Sequence, residues 1–190
     1  MKTARLEAFS DGVIAILITI MVLELRVPHG TDWRALIPLV PVFLSYVLSF
    51  VFLGIYWNNH HHMLHATERI NGKILWANLH LLFWLSLIPF ATGWMGENHF
   101  APLPMAVYGG VLILAAISYT ILQTLIVAHN GRSSKLAAAV GNDRKGKVSM
   151  LLYALAIPLA FVHQGIAGAL YVLVALIWLI PDQRIESKLQ

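Results

Sequence analysis

Cysteine is absent from the sequence, and charged residues occupy only 12% of its 190 positions. Without cysteine the chain can form no disulfide, no thiolate metal site and no cysteine nucleophile. Hydrophobic residues instead reach 58%, whereas soluble domains contain about 45–50% apolar and about 25% charged residues. A soluble core cannot bury so large an excess, so we infer that much of the apolar surface faces lipid.

The sequence also lacks the motifs of common catalytic sites. It contains no G-x-S-x-G, no H-E-x-x-H and no paired-carboxylate motif, so we expect neither an enzyme nor a cofactor. The net charge of +4 does not indicate a nucleic-acid partner. The basic residues lie between apolar runs, as they do in the loops of membrane proteins. This placement predicts that a lipid bilayer surrounds the protein.

Six apolar runs suggest membrane spans. A spanning helix needs about 20 mostly apolar residues, because about 30 Å of hydrocarbon is crossed at about 1.5 Å per residue. Pro158 and Gly165 favour a hairpin between the last two runs over one double-length helix. The sequence predicts an all-α integral membrane protein, a single domain over 1–190 with six transmembrane helices. The runs are 5–27, 35–59, 74–95, 104–129, 147–163 and 166–181.

The distribution of basic residues predicts the orientation in the membrane. With the N-terminus placed in the cytoplasm, Arg26 and Arg34 lie outside, and the other 11 of the 13 Lys and Arg residues lie inside. Cytoplasmic segments of membrane proteins carry such an excess of Lys and Arg. We therefore expect both termini in the cytoplasm and an even number of spans.

The first run carries an ionisable residue within the membrane. Asp11 lies about two turns into the predicted helix, where a charge costs a few kcal/mol or more unless it is paired or hydrated. Arg5 is six residues away, and so about 120° around the helix. We expect Asp11 to point at another helix, either to hold the bundle together or to take a direct part in transport.

Another face of the same helix is aliphatic. Ile20 and Leu23 lie within about 40° of Ile16, and Thr19 within about 60°. Phe9 and Arg5 fall on this side nearer the cytoplasm, whereas Asp11 lies about 140° away. By itself, such an aliphatic face is typical of lipid contact or core packing.

The opening of the first helix resembles a known family. Arg5, Phe9, Ser10 and Asp11 form the pattern R-x-x-x-F-S-D, which is the signature of the transmembrane-protein-175 potassium channels, whose eukaryotic member is lysosomal. A single six-helix chain is similar to the prokaryotic branch, which assembles as tetramers. The resemblance covers roughly residues 1–95, and its further matches are Tyr56-Trp57-Asn58-Asn59-His60-His61, Asn78 and Ser86-Leu87-Ile88-Pro89-Phe90.

The resemblance implies a function and a site. It implies a potassium-selective leak channel in the cell membrane of a prokaryote, a homotetramer that passes potassium ions among monovalent cations. The first helices would line a central pore, with Ile16 at its narrowest point. The next layers along the same face of the helix would be formed by Ile20, or by Thr19 at the edge of that face, and by Leu23. The motif residues and their inter-helix partners would be Arg5, Phe9, Ser10, Asp11, Trp57, His60 and Asn78.

Two other functions stay open at this point. A secondary transporter or proton pathway could use Asp11 and His60, but it would be expected to show broken helices or inverted repeats, and neither is evident. A non-conducting membrane scaffold is the other. His61 and His65 have the i,i+4 spacing of a zinc pair. No third ligand follows at a matching distance, so we predict no metal site.

Overall fold

The computed structural model describes residues 3–131, 134–141 and 143–179, and all regular structure in these ranges is helical. Two 3₁₀ segments, Met21–Glu24 and Trp33–Leu39, adjoin the first two α helices. The α helices are α1 Ala4–Ile20, α2 Val40–His65, α3 Gly72–Ser86, α4 Ile88–Glu97, α5 Pro102–Asn130, α6 Lys135–Val140, α7 Arg144–Leu159 and α8 Gln164–Leu179.

Four helical stretches in the described residues are long and apolar enough to cross a membrane. They are Ala4–Glu24, Trp33–His65, Gly72–Glu97 and Pro102–Asn130. α8 is also apolar but has only 16 residues, and α7 has the same length and begins with Arg144. The end of the sixth predicted run, at 180–181, lies outside the described residues, as does the C-terminus.

The first two runs end differently from their prediction. α1 stops at Ile20, seven residues before the predicted end at 27, and a 3₁₀ turn leads to an extended Leu25. α2 continues to His65, beyond the predicted end at 59. Its added turn is amphipathic, because His60, Met63 and Leu64 are buried on one side. Packing of that side against the bundle extends a helix whose sequence becomes polar.

The third run is broken in the middle. The sequence predicts one helix over 74–95, whereas α3 ends at Ser86 and α4 begins at Ile88, with Leu87 between them. Pro89 explains the break, because it has no N–H to donate and its ring clashes with the carbonyl of the residue four positions earlier. The start of α3 is fixed by Asn71, whose side chain accepts a hydrogen bond from the Ile74 N–H at 3.0 Å.

α5 lies in the middle of the bundle and α1 lies at its side. α5 contacts α3, α4, α7 and α8, while α1 packs mainly against α2 and α3. A buried hydroxyl cluster joins three helices, because Ser49 Oγ lies 2.6 Å from Thr92 Oγ1 and 2.9 Å from the Tyr108 hydroxyl. The fully buried residues of α5 include Tyr108, Leu112, Ala115, Leu122 and Ile126.

Candidate functional site

α1 has one buried and one exposed face. The buried side chains recur every three or four residues, the spacing of one side of a helix, and face α2 and α3. The opposite side is apolar and exposed in the single chain. The buried set is Leu6, Ser10, Ile14, Leu17 and Met21, and the exposed apolar set on the opposite side is Phe9, Ile16, Ile20 and Leu23; Val22, next to Leu23 in the 3₁₀ segment, is exposed as well.

We call this exposed set, together with Thr19, the α1 ladder. Ile16 is 59% exposed and Leu23 is 77% exposed, whereas Ile14 is completely buried. Thr19 is exposed too, and its hydroxyl donates back to the Ala15 and Ile16 carbonyls at 3.0 and 2.9 Å. A row of large apolar side chains requires either lipid or another protein surface beside it.

A buried hydrogen-bonded chain ties α1 to the two helices behind it. Ser10 and His60 meet at Asn78 on α3, and all three side chains are completely buried. The Asn78 amide donates to Ser10 Oγ at 2.9 Å, and its Oδ1 lies 2.7 Å from His60 Nε2. Ser10 Oγ in turn donates to the Leu6 carbonyl at 2.9 Å. These hydrogen bonds fix the rotation of α1 about its axis, so they also fix which side chains form the ladder.

Asp11 does not join this chain, contrary to the sequence-based expectation. It is one residue after Ser10 and so about 100° around α1, which turns it away from Asn78. Its carboxylate instead lies near Glu7 and His61, with one potential ligand atom of each within 4.8 Å of the others. Glu7 is a neighbour that we did not predict, although its position four residues before Asp11 places both on one side of the helix.

The remaining motif residues lie outside the buried chain. Arg5 and Phe9 are exposed on the ladder side of α1. Trp57 is partly exposed and stacks on the His61 ring, with centroids 6.0 Å apart and an angle of 24° between the planes. The structure therefore brings Ser10, His60 and Asn78 into direct contact and leaves the other four motif residues around them.

The far end of α1 is held by a charged pair that the sequence did not suggest. Arg26 donates to Glu97 at the end of α4, at 2.6 Å. Glu24 packs against Gly93 on the same helix, where a Cβ atom would lie 2.8 Å from its carboxylate. Both pairs connect the segment that follows α1 to α4, so α1 is held by contacts at its start and just beyond its end.

Comparison with known proteins places the chain among ion channels. The family model described as endosomal/lysosomal potassium channel TMEM175 matches residues 5–89. A potassium channel of Chryseobacterium sp. strain P1-3 is 56% identical over 190 residues, covering 100% of this chain and 99% of the relative. A potassium channel of Streptomyces collinus is 30% identical over 194 residues, covering 92% of this chain and 90% of the relative.

A solved structure has the same architecture. The crystal structure of a lysosomal potassium-selective channel TMEM175 homolog from Chamaesiphon minutus matches with a TM-score of 0.80 and 26% identity, covering 95% of this chain and 97% of that one. Vertebrate relatives that are 27–32% identical are named endosomal/lysosomal proton channels, and this chain covers only 20–36% of their length.

Proposed function

The chain belongs to the TMEM175 family of potassium channels, and from this membership we propose that it is one subunit of a homotetrameric potassium channel of the cell membrane. The relatives that it matches at full length are named as potassium channels rather than enzymes. Six spans from one chain do not easily enclose a symmetric pore, whereas four copies around one axis do. Potassium is the permeant ion of this proposal, and no bound cofactor is required.

We place the pore along the α1 ladder. The observation that carries this proposal is the exposure of Ile16, Ile20 and Leu23 on a helix whose opposite side is completely packed. The family motif lies on the same helix and contributes Phe9 to the ladder. The contacts of Ser10, His60 and Asn78 support the proposal further, because they hold α1 in one rotation.

Ile16 forms the constriction in this proposal. Four copies make a ring of branched aliphatic side chains, which offers no oxygen to replace the water around a potassium ion. An ion therefore passes at least partly hydrated, or passes when the ring widens and fills with water. Thr19, Ile20 and Leu23 form the following layers, and discrimination against sodium comes from the different cost of removing water from the two ions.

The proposed topology has six spans and cytoplasmic termini. The four long apolar stretches supply four spans, and the α7–α8 hairpin supplies two short ones. The excess of Lys and Arg in the segments placed inside supports this orientation, and it makes the bacterial plasma membrane the proposed location. Arg5 then lies at the cytoplasmic entrance of the pore, where it is exposed.

A proton pathway is the second candidate. The buried chain from His60 through Asn78 to Ser10 could relay a proton, and vertebrate relatives are named proton channels. The amide of Asn78 is a poor relay, however, because it must change its bonding to pass a proton on. A secondary transporter finds less support, since the relatives that the chain matches over most of its length are named potassium channels.

Ion flux in liposomes distinguishes these candidates. The purified chain is reconstituted with a potassium gradient, and fast passive potassium flux that persists when the pH is equal on both sides supports the channel. Slow, saturating flux coupled to protons supports the transporter, and proton flux without potassium flux supports the proton pathway. A protein that is folded and inserted but passes neither ion would be a scaffold, and the proposed function would fail.

A further inference from the structure

Three potential metal ligands converge where the start of α1 meets the end of α2, away from the α1 ladder. Glu7 and Asp11 lie four residues apart on one side of α1, and His61 faces them from α2. Their ligand atoms lie within 4.8 Å of one another, and Glu7 Oε1 is 3.0 Å from His61 Nδ1. Two ligands of a tetrahedral zinc ion are roughly 3.4 Å apart, given bonds of about 2.0–2.2 Å, so the cluster has nearly the size of a metal site.

Buried polar atoms without hydrogen bonds concentrate at the same place. In the described part of the chain, the buried side-chain atoms that lack a hydrogen-bond partner are Asp11 Oδ1, His60 Nδ1 and His61 Nδ1. His60 is completely buried and directly precedes His61 on α2. Polar atoms buried in this way carry a desolvation cost that a bound cation offsets.

An ion pair between His61 and Glu7 does not account for the whole cluster. Their contact has the distance of an ion pair but not the geometry of a hydrogen bond. It also leaves Oδ1 of the second carboxylate, that of Asp11, buried without a hydrogen-bond partner. Like charges four residues apart on a helix destabilise it, whereas a cation between them removes the repulsion.

We propose that Glu7, Asp11 and His61 bind one divalent transition-metal ion, for which Zn²⁺ is the probe. One imidazole nitrogen and two carboxylate oxygens form a donor set that zinc accepts, with water in the fourth position. Magnesium and calcium prefer oxygen ligands alone. The ion joins α1 to α2 within one subunit, and because it binds one folded chain, this proposal does not depend on potassium conduction.

The arrangement of the neighbouring rings favours this site over a His61–His65 pair. The His61 ring stacks between Trp57 and His65, and its plane is 16° from that of His65, with centroids 6.1 Å apart. Two nearly parallel rings do not direct their nitrogen atoms at one point between them. The stacking instead presents His61 Nδ1 to Glu7 on α1.

Calorimetry with the tag-free full chain in detergent tests the proposal. We expect Zn²⁺ to bind with one ion per chain and to raise the melting temperature, because it binds the folded state. His61→Ala and Glu7→Gln should each weaken Zn²⁺ binding at least tenfold. Glu7→Gln keeps the size and polarity of the side chain, so it preserves a readout should His61→Ala fail to fold.

His65→Ala is the matched control, because it removes a neighbouring exposed imidazole on the same helix. It should leave Zn²⁺ affinity within about twofold of the original chain. Absence of binding at 1:1 stoichiometry would overturn the proposal. So would binding that His65→Ala weakens while Glu7→Gln does not, since the histidine cluster alone would then hold the ion. Equal affinity for Mg²⁺ and Zn²⁺ would contradict the role of the imidazole.

Discussion

At the scale of single residues, the rotation of α1 depends on a few polar atoms. Ser10, Asn78 and His60 come from three different helices and are completely buried, and Asn78 bonds to both of the others. Apolar packing alone specifies the rotation of a helix less sharply than directed hydrogen bonds do, because lipid competes equally well for apolar surface. These bonds therefore decide which residues of α1 face away from the bundle.

Removal of Asn78 should test this role. Asn78→Ala leaves His60 Nε2 buried without its partner, at a cost of about 1–3 kcal/mol, while the Ser10 hydroxyl keeps only its bond to the Leu6 carbonyl. We expect a lower melting temperature in detergent, measured by intrinsic fluorescence. Leu79→Ala is the control, because the adjacent side chain is exposed. Equal melting temperatures for the two variants would show that the buried chain contributes nothing to stability.

Substitution of Ile16 should test the proposed constriction. Ile16→Asn should place amides at the ring, favour its wetting, raise single-channel conductance and shift the reversal potential toward that of a pore less selective between potassium and sodium. Ile14→Asn is the matched control. It lies about 160° around the helix and is completely buried, so it should lower stability without opening the pore.

The outcome of that comparison can also contradict the proposed pore. Reversed effects, with conductance changed by Ile14→Asn and not by Ile16→Asn, would mean that the opposite side of α1 faces the ions. No effect of either variant on conductance or reversal potential would mean that α1 does not line the pore.

At the scale of elements, glycine allows close approach of α2 and α4. A Cβ atom on Gly96 would lie 2.8 Å from Val42 Cα, which is backbone that cannot rotate away. Gly96→Ala should therefore separate the two helices and lower stability by about 1–3 kcal/mol, the usual cost of overpacking. Gly110→Ala is the control within α5, because no atom lies within 4 Å of its added Cβ.

The Gly110→Ala control should itself change the melting temperature. Alanine favours the helix over glycine by roughly 0.5–1 kcal/mol, so Gly110→Ala should raise the melting temperature slightly. The measurement is thermal unfolding of both variants in the same detergent. A Gly96→Ala protein as stable as the original chain would mean that α2 and α4 do not pack as closely as described.

The sequence predicted the faces of α1 better than the ends of the helices. The buried and exposed residues of α1 follow helical periodicity, which is a local property that can be read from the sequence. The break at Leu87 was missed, although Pro89 was visible, because an apolar run on both sides resembles one continuous span. The short helix α6 was missed as well, because six residues between two spans give little periodic signal.

Contacts between helices could not be predicted in the same way. Periodicity placed Asp11 away from the ladder, but it could not decide between α2 and α3 as its neighbour. Ser10 and Asp11 are one residue apart and so about 100° apart around α1. Ser10 therefore contacts Asn78, whereas Asp11 lies near His61. The resemblance grouped all of these residues together, and only the packing of three helices separates them into a hydrogen-bonded chain and a cluster of charged and imidazole groups.

For the molecule as a whole, the proposed pore requires more than one copy of the chain. The α1 ladder is exposed along its length, and none of the other described helices of the same chain covers it. Alternatively, this face contacts lipid, which requires no second chain. Native mass tests the tetramer itself: one chain has 21.1 kDa, and measurement in mild detergent should give four times that value.

Cross-linking decides which face lies at the shared axis. The chain has no cysteine, so Ile16→Cys and Ile14→Cys each carry a single thiol, and a flexible bis-maleimide can join at most two chains. We expect a dimer band on a denaturing gel for Ile16→Cys, because four thiols surround one axis. Ile14→Cys should stay monomeric, since that side chain is completely buried within its own subunit. A tetrameric mass with no cross-linked Ile16→Cys would mean that the four chains meet through another surface and that lipid covers the ladder.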